Sequence, residues 1–259
     1  MPEPLATDES LTPPAAGSAP LLGAARGHDR LVAALEVAVC SDYPTQFLIS
    51  SLLIAAGLAP TKPGGTELSL PFVLTLSMVD TLVLIVLMVL LMRARGESAT
   101  ELWLGHVKAR REALIGLSLV PAVFLMVVVL LNLVRLLMPS LHNVAINPLE
   151  QLAGNTAFDA AMFGLVAIIA GGVREELQRA FLLHRFKQHL GGATVGVIII
   201  SVLFGLGHAT QGWDAVITTG ALGMFWAVLY LDRRSSIAPV VSHAGFNSLE
   251  ILRVVFFVS

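Results

Sequence analysis

Charged residues are scarce in this chain. They make up 13% of its 259 residues, whereas a soluble domain usually carries roughly 25%. Hydrophobic residues make up 56%, and the mean hydropathy is +0.81. So few charges cannot cover the surface of a soluble protein of this length. The composition therefore indicates a polytopic integral membrane protein.

Cysteine and net charge are also nearly absent. Because Cys40 is the one cysteine, an intramolecular disulfide is excluded, and we interpret this residue as a packing residue. The formal net charge of -2 gives no reason to expect a nucleic-acid partner. Residues 1–27 lack the basic and apolar regions of a signal peptide. We predict a disordered cytoplasmic tail over 1–27 and a transmembrane helical domain over 28–259.

Apolar stretches long enough to cross a membrane follow this tail. A helix needs about 20 residues to cross the hydrocarbon core. We predict an all-α, polytopic transmembrane helical bundle of about seven spans, with six or eight as alternatives. Glu36, Asp42 and Pro44 predict that the first span is kinked or partly interfacial near Cys40–Pro44. Glu101–Glu112 is expected to form an interfacial helix. The predicted spans are Leu31–Leu58, Pro71–Met92, Ala113–Met138, Thr156–His189, Ala193–His208, Ala215–Leu231 and Ile237–Phe257.

Lysine and arginine alternate between the two sides of these spans. They occur before the first span and in the segments 93–112, 184–192 and 232–236, whereas the opposite connections hold only Lys62. Cytoplasmic loops of membrane proteins carry an excess of basic residues. We therefore predict that the N-terminus and these three segments are cytoplasmic.

Ionised side chains interrupt the fourth span at Gly171–Arg179, which reads GGVREELQR. A charge near the bilayer centre costs at least about 2.5–3.5 kcal/mol on insertion scales, so such groups usually have a function. Glu175 and Glu176 point about 100° apart on a helix, which predicts different roles for them. Arg179 lies within pairing reach of both glutamates.

A histidine is expected at the depth of the glutamate pair. Gly191 and Gly192 are the natural turn between the fourth and fifth spans. Glu175 lies 16 residues before Gly191, and His208 lies 16 residues after Gly192. Equal counts in an antiparallel hairpin predict that Glu175 and His208 lie at the same level.

A second histidine belongs to the seventh span. His243 and Asn247 are four residues apart and so share one helix face. His243 is close to the predicted cytoplasmic turn at Ser235, so it reaches the level of Glu175 only if the polar run 184–189 projects past that turn. With this overhang, the site is expected below the cytoplasmic surface and accessible from that side.

A carboxylate beside imidazoles in a desolvated cavity can activate water, and His or Asn can stabilise an oxyanion. Glu175, His208 and His243 could alternatively hold a divalent metal such as zinc, although no His-Glu-x-x-His motif is present. These residues favour hydrolysis by an activated water molecule. The alternatives are a proton- or ion-coupled transporter that uses the same groups as a relay, and a non-catalytic immunity or interaction protein.

Three motifs occur in order on separate spans: the Glu-Glu pair followed by an Arg, Phe204-x-x-x-His208, and His243-x-x-x-Asn247. Over roughly residues 110–257 this set resembles the CAAX protease and bacteriocin-processing (CPBP, abortive-infection-type) family of intramembrane metalloproteases, related to the type II CAAX prenyl endopeptidase. The resemblance implies that the favoured function is an endopeptidase that hydrolyses a peptide or protein tail near the cytoplasmic side, with a catalytic core of about 156–257. It also implies a bacterial inner membrane, with lipids as further partners.

The resemblance implies a role for each matching residue. Glu175 would be the water-activating base, Glu176 and Arg179 the supporting pair, and His208, His243 and Asn247 the groups that complete the site and stabilise the oxyanion. Apart from the resemblance, we interpret Phe204 as a packing residue that orients His208. One spacing departs from the family, which usually has three residues between the second glutamate and the arginine. Here there are two, so an alternative alignment places Arg174 at the first glutamate and Glu175 at the second. Keeping the glutamate pair in register makes Glu175 the base, with Glu176 as the alternative.

Overall fold

The computed structural model describes residues 19–145, 147–154 and 156–257, and these residues form helices and no strand. A π-helical segment, Ala167–Arg174, joins α7 to α8 without a break. The predicted all-α transmembrane bundle is confirmed. The helices are α1 (Ala19–Val39), α2 (Tyr43–Ala55), α3 (Leu70–Ala94), α4 (Ala99–Leu104), α5 (Ala109–Leu137), α6 (Pro148–Gly154), α7 (Ala157–Val166), α8 (Glu175–His189), α9 (Ala193–Leu206), α10 (Trp213–Arg233) and α11 (Ile237–Phe257).

Within the described residues, five continuous helical stretches are long and apolar enough to cross a membrane. The first predicted span is instead two helices, Gly27–Val39 and Tyr43–Ala55, which meet at 42°. This bend lies where the kink was predicted, because Asp42 has a positive φ of 82° and Pro44 begins a new helix. The continuous stretches are Leu70–Ala94, Ala109–Leu137, Ala157–His189, Trp213–Arg233 and Ile237–Phe257.

The fifth predicted span is too short to cross the membrane alone. Helix α9 has 14 residues, which gives a length of about 21 Å at 1.5 Å per residue. The hydrocarbon core is about 30 Å thick. The seven predicted segments therefore correspond to five long helical stretches, one bent pair and one short helix.

Two local predictions are wrong. The predicted tail is too long, because α1 begins at Ala19, where Pro20 suits a first helical turn and is followed by good helix formers. Residues 1–18 lie outside the described part of the chain. The predicted interfacial helix over 101–112 is also interrupted, because α4 ends at Leu104 and α5 begins only at Ala109.

Helices α8 and α9 form the predicted hairpin. Gly191 and Gly192 have φ values of 99° and 96°, which a residue without a Cβ adopts most readily. A Cβ added to Gly196 of α9 would lie 2.7 Å from the Cβ of Phe186, so the two helices pack closely. This hairpin carries Glu175 on one arm and ends just before His208 on the other.

Trp103 of α4 sets the level of α8 relative to α11. Its indole N–H donates to the carbonyl of Leu177 at 3.0 Å, and its own carbonyl accepts from the N–H of Ser236 at 2.7 Å. The turn before α11 therefore lies level with Leu177. The remainder of α8 extends past that turn, which agrees with the predicted overhang.

A buried arginine holds this extended part of α8. Arg185 is fully buried and pairs with Glu36 of α1, and it donates to the carboxylate of Glu97 at 2.8 and 2.6 Å. Burial by itself raises the pKa of Glu97, but hydrogen bonds from Arg185 and His184 bring that pKa below its usual value. The network joins α8 to α1 and to the end of α3.

The core beside the site is built around Trp226. This fully buried side chain of α10 packs with Val123 of α5 and Phe246 of α11. Its indole N–H donates to the hydroxyl of Ser242 at 2.9 Å. Because Ser242 precedes His243, this bond helps to set the orientation of the site face of α11.

Candidate active site

The glutamate pair directly follows the π-helical segment Ala167–Arg174. In this wider helix the N–H of Glu175 bonds to the carbonyl of Ala170, five residues back. Such segments are rare and occur frequently at functional sites. We did not predict this one, and the only local signal for it is the Gly171-Gly172 pair within it.

Gly171 and Gly172 allow α11 to approach the π-helical segment. A Cβ on Gly172 would lie 2.7 Å from the Cβ of Ala244, and a Cβ on Gly171 would lie 2.6 Å from Nδ2 of Asn247. The Asn247 amide also donates to the carbonyl of Ala167 at 2.9 Å. The polar face of α11 is thereby held against the helix that carries the glutamates.

The substitution Gly172→Ala is expected to destabilise the protein by roughly 1–3 kcal/mol, because overpacking forces α11 away. It should also lower any activity of the site, because His243 precedes the displaced Ala244. Gly164→Ala is a matched control, since its Cβ would meet only Cδ1 of Ile251, at 3.8 Å. Thermal unfolding in detergent measures both variants. Equal destabilisation of the two would contradict the close-approach explanation.

Glu176 lies behind His243. It is buried, it pairs with Arg179, and its Oε1 accepts from Nδ1 of His243 at 2.7 Å. The Arg179 guanidinium lies over the ring of Phe204, 4.7 Å from its centroid. Because Nδ1 donates to Glu176, a neutral His243 has an unprotonated Nε2.

His243 is also fixed by a stacked indole. Its ring lies parallel to that of Trp226, with centroids 3.7 Å apart and an interplanar angle of 13°. Nε2 of His243 is 3.9 Å from Oε2 of Glu175. We did not predict Trp226 as part of the site, because no motif or spacing in the sequence indicates it.

His208 lies just after the end of α9, and its tautomer is the same as that of His243. Its Nδ1 is 2.8 Å from the carbonyl of Phe204, and the two rings are 4.9 Å apart. A carbonyl only accepts, so Nδ1 donates and a neutral His208 also has an unprotonated Nε2. Phe204 therefore contacts the histidine that it was predicted to orient.

Glu175 has a cationic neighbour that we did not predict. Nη2 of Arg174 is 3.8 Å from the Glu175 carboxylate, and Nη1 of Arg174 is 2.7 Å from Oδ2 of Asp42. Asp42 comes from the α1–α2 bend, far away in the sequence. Asp80 lies buried near Asp42, whereas Arg135 bonds to Asp214 at 2.8 Å.

One cavity of about 710 Å³ brings four of the predicted residues together. They are Glu175, His208, His243 and Asn247, and Phe204 also lines the cavity. Glu176 and Arg179 are not among the lining residues. Of the glutamate pair, Glu175 is therefore the member that faces the cavity.

The cavity is closed at the site and open at its other end. Trp226 and Arg174 are buried at the closed end, whereas the side chains of Arg135 and His142 at the other end are 44% and 37% exposed. No residue of the segments 93–112, 184–192 and 232–236 lines it. The cavity therefore opens at the end of the bundle away from those segments. If the segments are cytoplasmic, as predicted, the predicted cytoplasmic access to the site does not hold for this cavity.

The predicted zinc ligands are not grouped as a metal site. In residues 19–145, 147–154 and 156–257, no three His, Cys, Asp or Glu side chains are placed so that they could hold a metal ion. Glu175 and His243 lie 3.9 Å apart, but His208 does not complete a set of three with them. The residues as placed do not fit a three-ligand metal, and we derive no step through one.

Comparison with known families bears on this site. Residues 157–249 match the family model of the type II CAAX prenyl endopeptidase Rce1-like proteins. The matched segment contains the glutamate pair, both histidines and Asn247. The resemblance predicted from the motifs is confirmed, and the match supports a hydrolase in general. No curated protein and no solved structure matches the chain.

Proposed function

We propose that this chain, with its Rce1-like segment at 157–249, is an intramembrane endopeptidase that hydrolyses a peptide bond in the cavity at Glu175. The observation that supports this most strongly is the convergence of Glu175, His208, His243 and Asn247 on one cavity. The cavity ends at Trp226 and Arg174.

Glu175 is the proposed base. Its carboxylate faces the cavity, and Nη2 of Arg174 lies 3.8 Å from it. Glu176 is already engaged by Arg179 and His243. Glu175 would take a proton from a water molecule as the water oxygen adds to the substrate carbonyl.

His243 is the proposed proton carrier. Its unprotonated Nε2 lies 3.9 Å from Glu175, so a small movement can bring the proton from Glu175 to the ring. The imidazolium formed would lie between two carboxylates, and Trp226 would hold its plane. It would then donate the proton to the leaving amine nitrogen as the C–N bond breaks, which completes the hydrolysis.

Asn247 is the proposed oxyanion donor. Its amide has two hydrogens, and the bond to Ala167 uses only one of them. A neutral His208 accepts rather than donates at Nε2, so its tautomer favours holding the attacking water. This role replaces the oxyanion role that the family resemblance implied for His208.

Peptide hydrolysis by the purified protein in liposomes tests this proposal. The wild type should cleave members of a library of prenylated and unprenylated tails. His208→Ala and His243→Ala should lose about 10²–10⁴-fold in rate. The exposed His106, which does not line the cavity, provides the control variant His106→Ala.

Two further arms of this experiment separate the alternatives. A chelator should leave the rate unchanged, because the residues as placed do not form a three-ligand metal site. Absence of hydrolysis together with proton-driven uptake of a solute would contradict the endopeptidase and favour the transporter. Equal rates for wild type, His208→Ala and His243→Ala would contradict the site.

A further inference from the structure

We infer that the substrate enters from the membrane face opposite the basic loops, as an extended polypeptide whose cleaved bond lies four or five residues inside the cavity mouth. This inference rests on the proposed endopeptidase function. It replaces the cytoplasmic access that was predicted from the sequence.

The exposure of the lining residues gives the direction of the cavity. His243 is 4% exposed and Trp226 is fully buried, so the cavity ends there. The mouth contains polar groups that reach solvent, including Arg135 and His142. A mouth of this kind suits a segment that arrives from water.

The route from the other end is closed by α4. Trp103 bonds to the backbone of both Leu177 and Ser236, which bridges the two helices that carry the site. The hydroxyl of Tyr230 donates to the carbonyl of Leu102 at 3.1 Å, which fixes α4 to α10 as well. A substrate from that side would have to displace α4.

Basic residues assign the two ends to the two faces of the membrane. Of the 16 lysines and arginines, Lys62, Arg135 and Arg253 lie towards the mouth end, and Arg174 and Arg179 are buried at the site. By the preference of basic residues for the cytoplasm, the mouth is extracytoplasmic. The remainder lie at the other end or before the first span: Arg26, Arg30, Arg93, Arg95, Lys108, Arg110, Arg111, Arg185, Lys187, Arg233 and Arg234.

Helix geometry gives the depth of the site. Arg253 at the mouth is ten residues from His243 on α11, or about 15 Å at 1.5 Å per residue. Asp214 is twelve residues from Trp226 on α10, or about 18 Å. An extended chain covers about 3.3–3.6 Å per residue, so four or five residues connect the mouth to the site.

Cysteine labelling tests the direction without using activity. The starting variant is Cys40→Ala, which removes the one cysteine. Gln211→Cys is at the mouth, Thr219→Cys is inside the cavity, and Lys187→Cys is at the basic end. In right-side-out vesicles, an external impermeant methanethiosulfonate reagent should modify Gln211→Cys and Thr219→Cys but not Lys187→Cys. Modification of Gln211→Cys or Thr219→Cys only from the inside would overturn the inference.

Hydrolysis then tests the depth and separates the two proposals. Peptides that carry a bulky streptavidin cap should be cleaved when five or more residues separate the cap from the cleaved bond, and should resist cleavage with fewer than four. Outside labelling without hydrolysis of any peptide would leave the entry route standing and contradict the proposed function. Hydrolysis only of peptides presented on the Lys187 side would contradict the entry route and leave the function standing. Cleavage that does not depend on the cap distance would overturn the depth.

Discussion

Glu175→Gln should abolish peptide hydrolysis, with a loss of about 10²–10⁴-fold or more, because the amide cannot take a proton from water. The folded state should keep its stability. The Glu175 side chain is 17% exposed, it faces the cavity, and Gln has nearly the same shape. The measurements are the single-turnover rate in liposomes and the thermal unfolding of the same preparation.

Glu176→Gln is the matched comparison for this prediction. Removal of one partner from a buried ion pair typically costs about 3–5 kcal/mol, and Arg179 would lose its carboxylate here. This variant should therefore unfold at a lower temperature and should retain part of its activity when folded. If Glu175→Gln stayed active while Glu176→Gln was inactive and stable, Glu176 would be the base instead.

Arg185→Met should lower the free energy of unfolding by about 3–5 kcal/mol at neutral pH. The substitution leaves Glu36 and Glu97 without the buried guanidinium that pairs with both. Arg185 does not line the cavity, so the rate per folded molecule should not change. Denaturant titration in detergent measures the loss.

The pH dependence of this loss identifies its origin. The pKa of Glu97 in the folded state is below its usual value of 4.5. The stabilisation from this carboxylate is therefore present above about pH 4.5, and it disappears as the pH falls through the folded value. The difference between wild type and Arg185→Met should shrink in that acidic range. A difference that stays constant down to pH 3 would show that lost packing, rather than lost charge pairing, causes the effect.

Counting along helices was sufficient to predict that four polar residues share a cavity. Glu175 and His208 are equally far from the Gly191-Gly192 turn, and both line the cavity. His243 and Asn247 share a helix face for the same geometric reason, a rise of 1.5 Å and a turn of 3.6 residues. These predictions succeed because helix geometry is nearly independent of the rest of the fold.

Contacts that depend on packing between distant segments could not be predicted in this way. Asp42 reaches Arg174 only because the chain bends after α1, and Trp226 reaches His243 only because α10 and α11 pack at one rotation about their axes. The direction in which the cavity opens likewise depends on packing between distant segments, so it could not be predicted. Depth along a helix can be counted from the sequence, whereas the position of empty space between helices depends on every side chain that surrounds it.

Trp103 limits how far α8 and α11 can slide past each other without disrupting the site. This one residue bonds to α8 at Leu177 and to the start of α11 at Ser236, so it locks the axial register of the two helices that share the bond between Glu176 and His243. If α11 slipped along its axis by two residues, or about 3 Å, a 2.7 Å bond across the interface would stretch to about 4 Å. A hydrogen bond does not survive at that separation. The alignment of the site thus depends on the indole of Trp103 at its edge, because the short helix α4 holds α8 and α11 at a fixed axial offset.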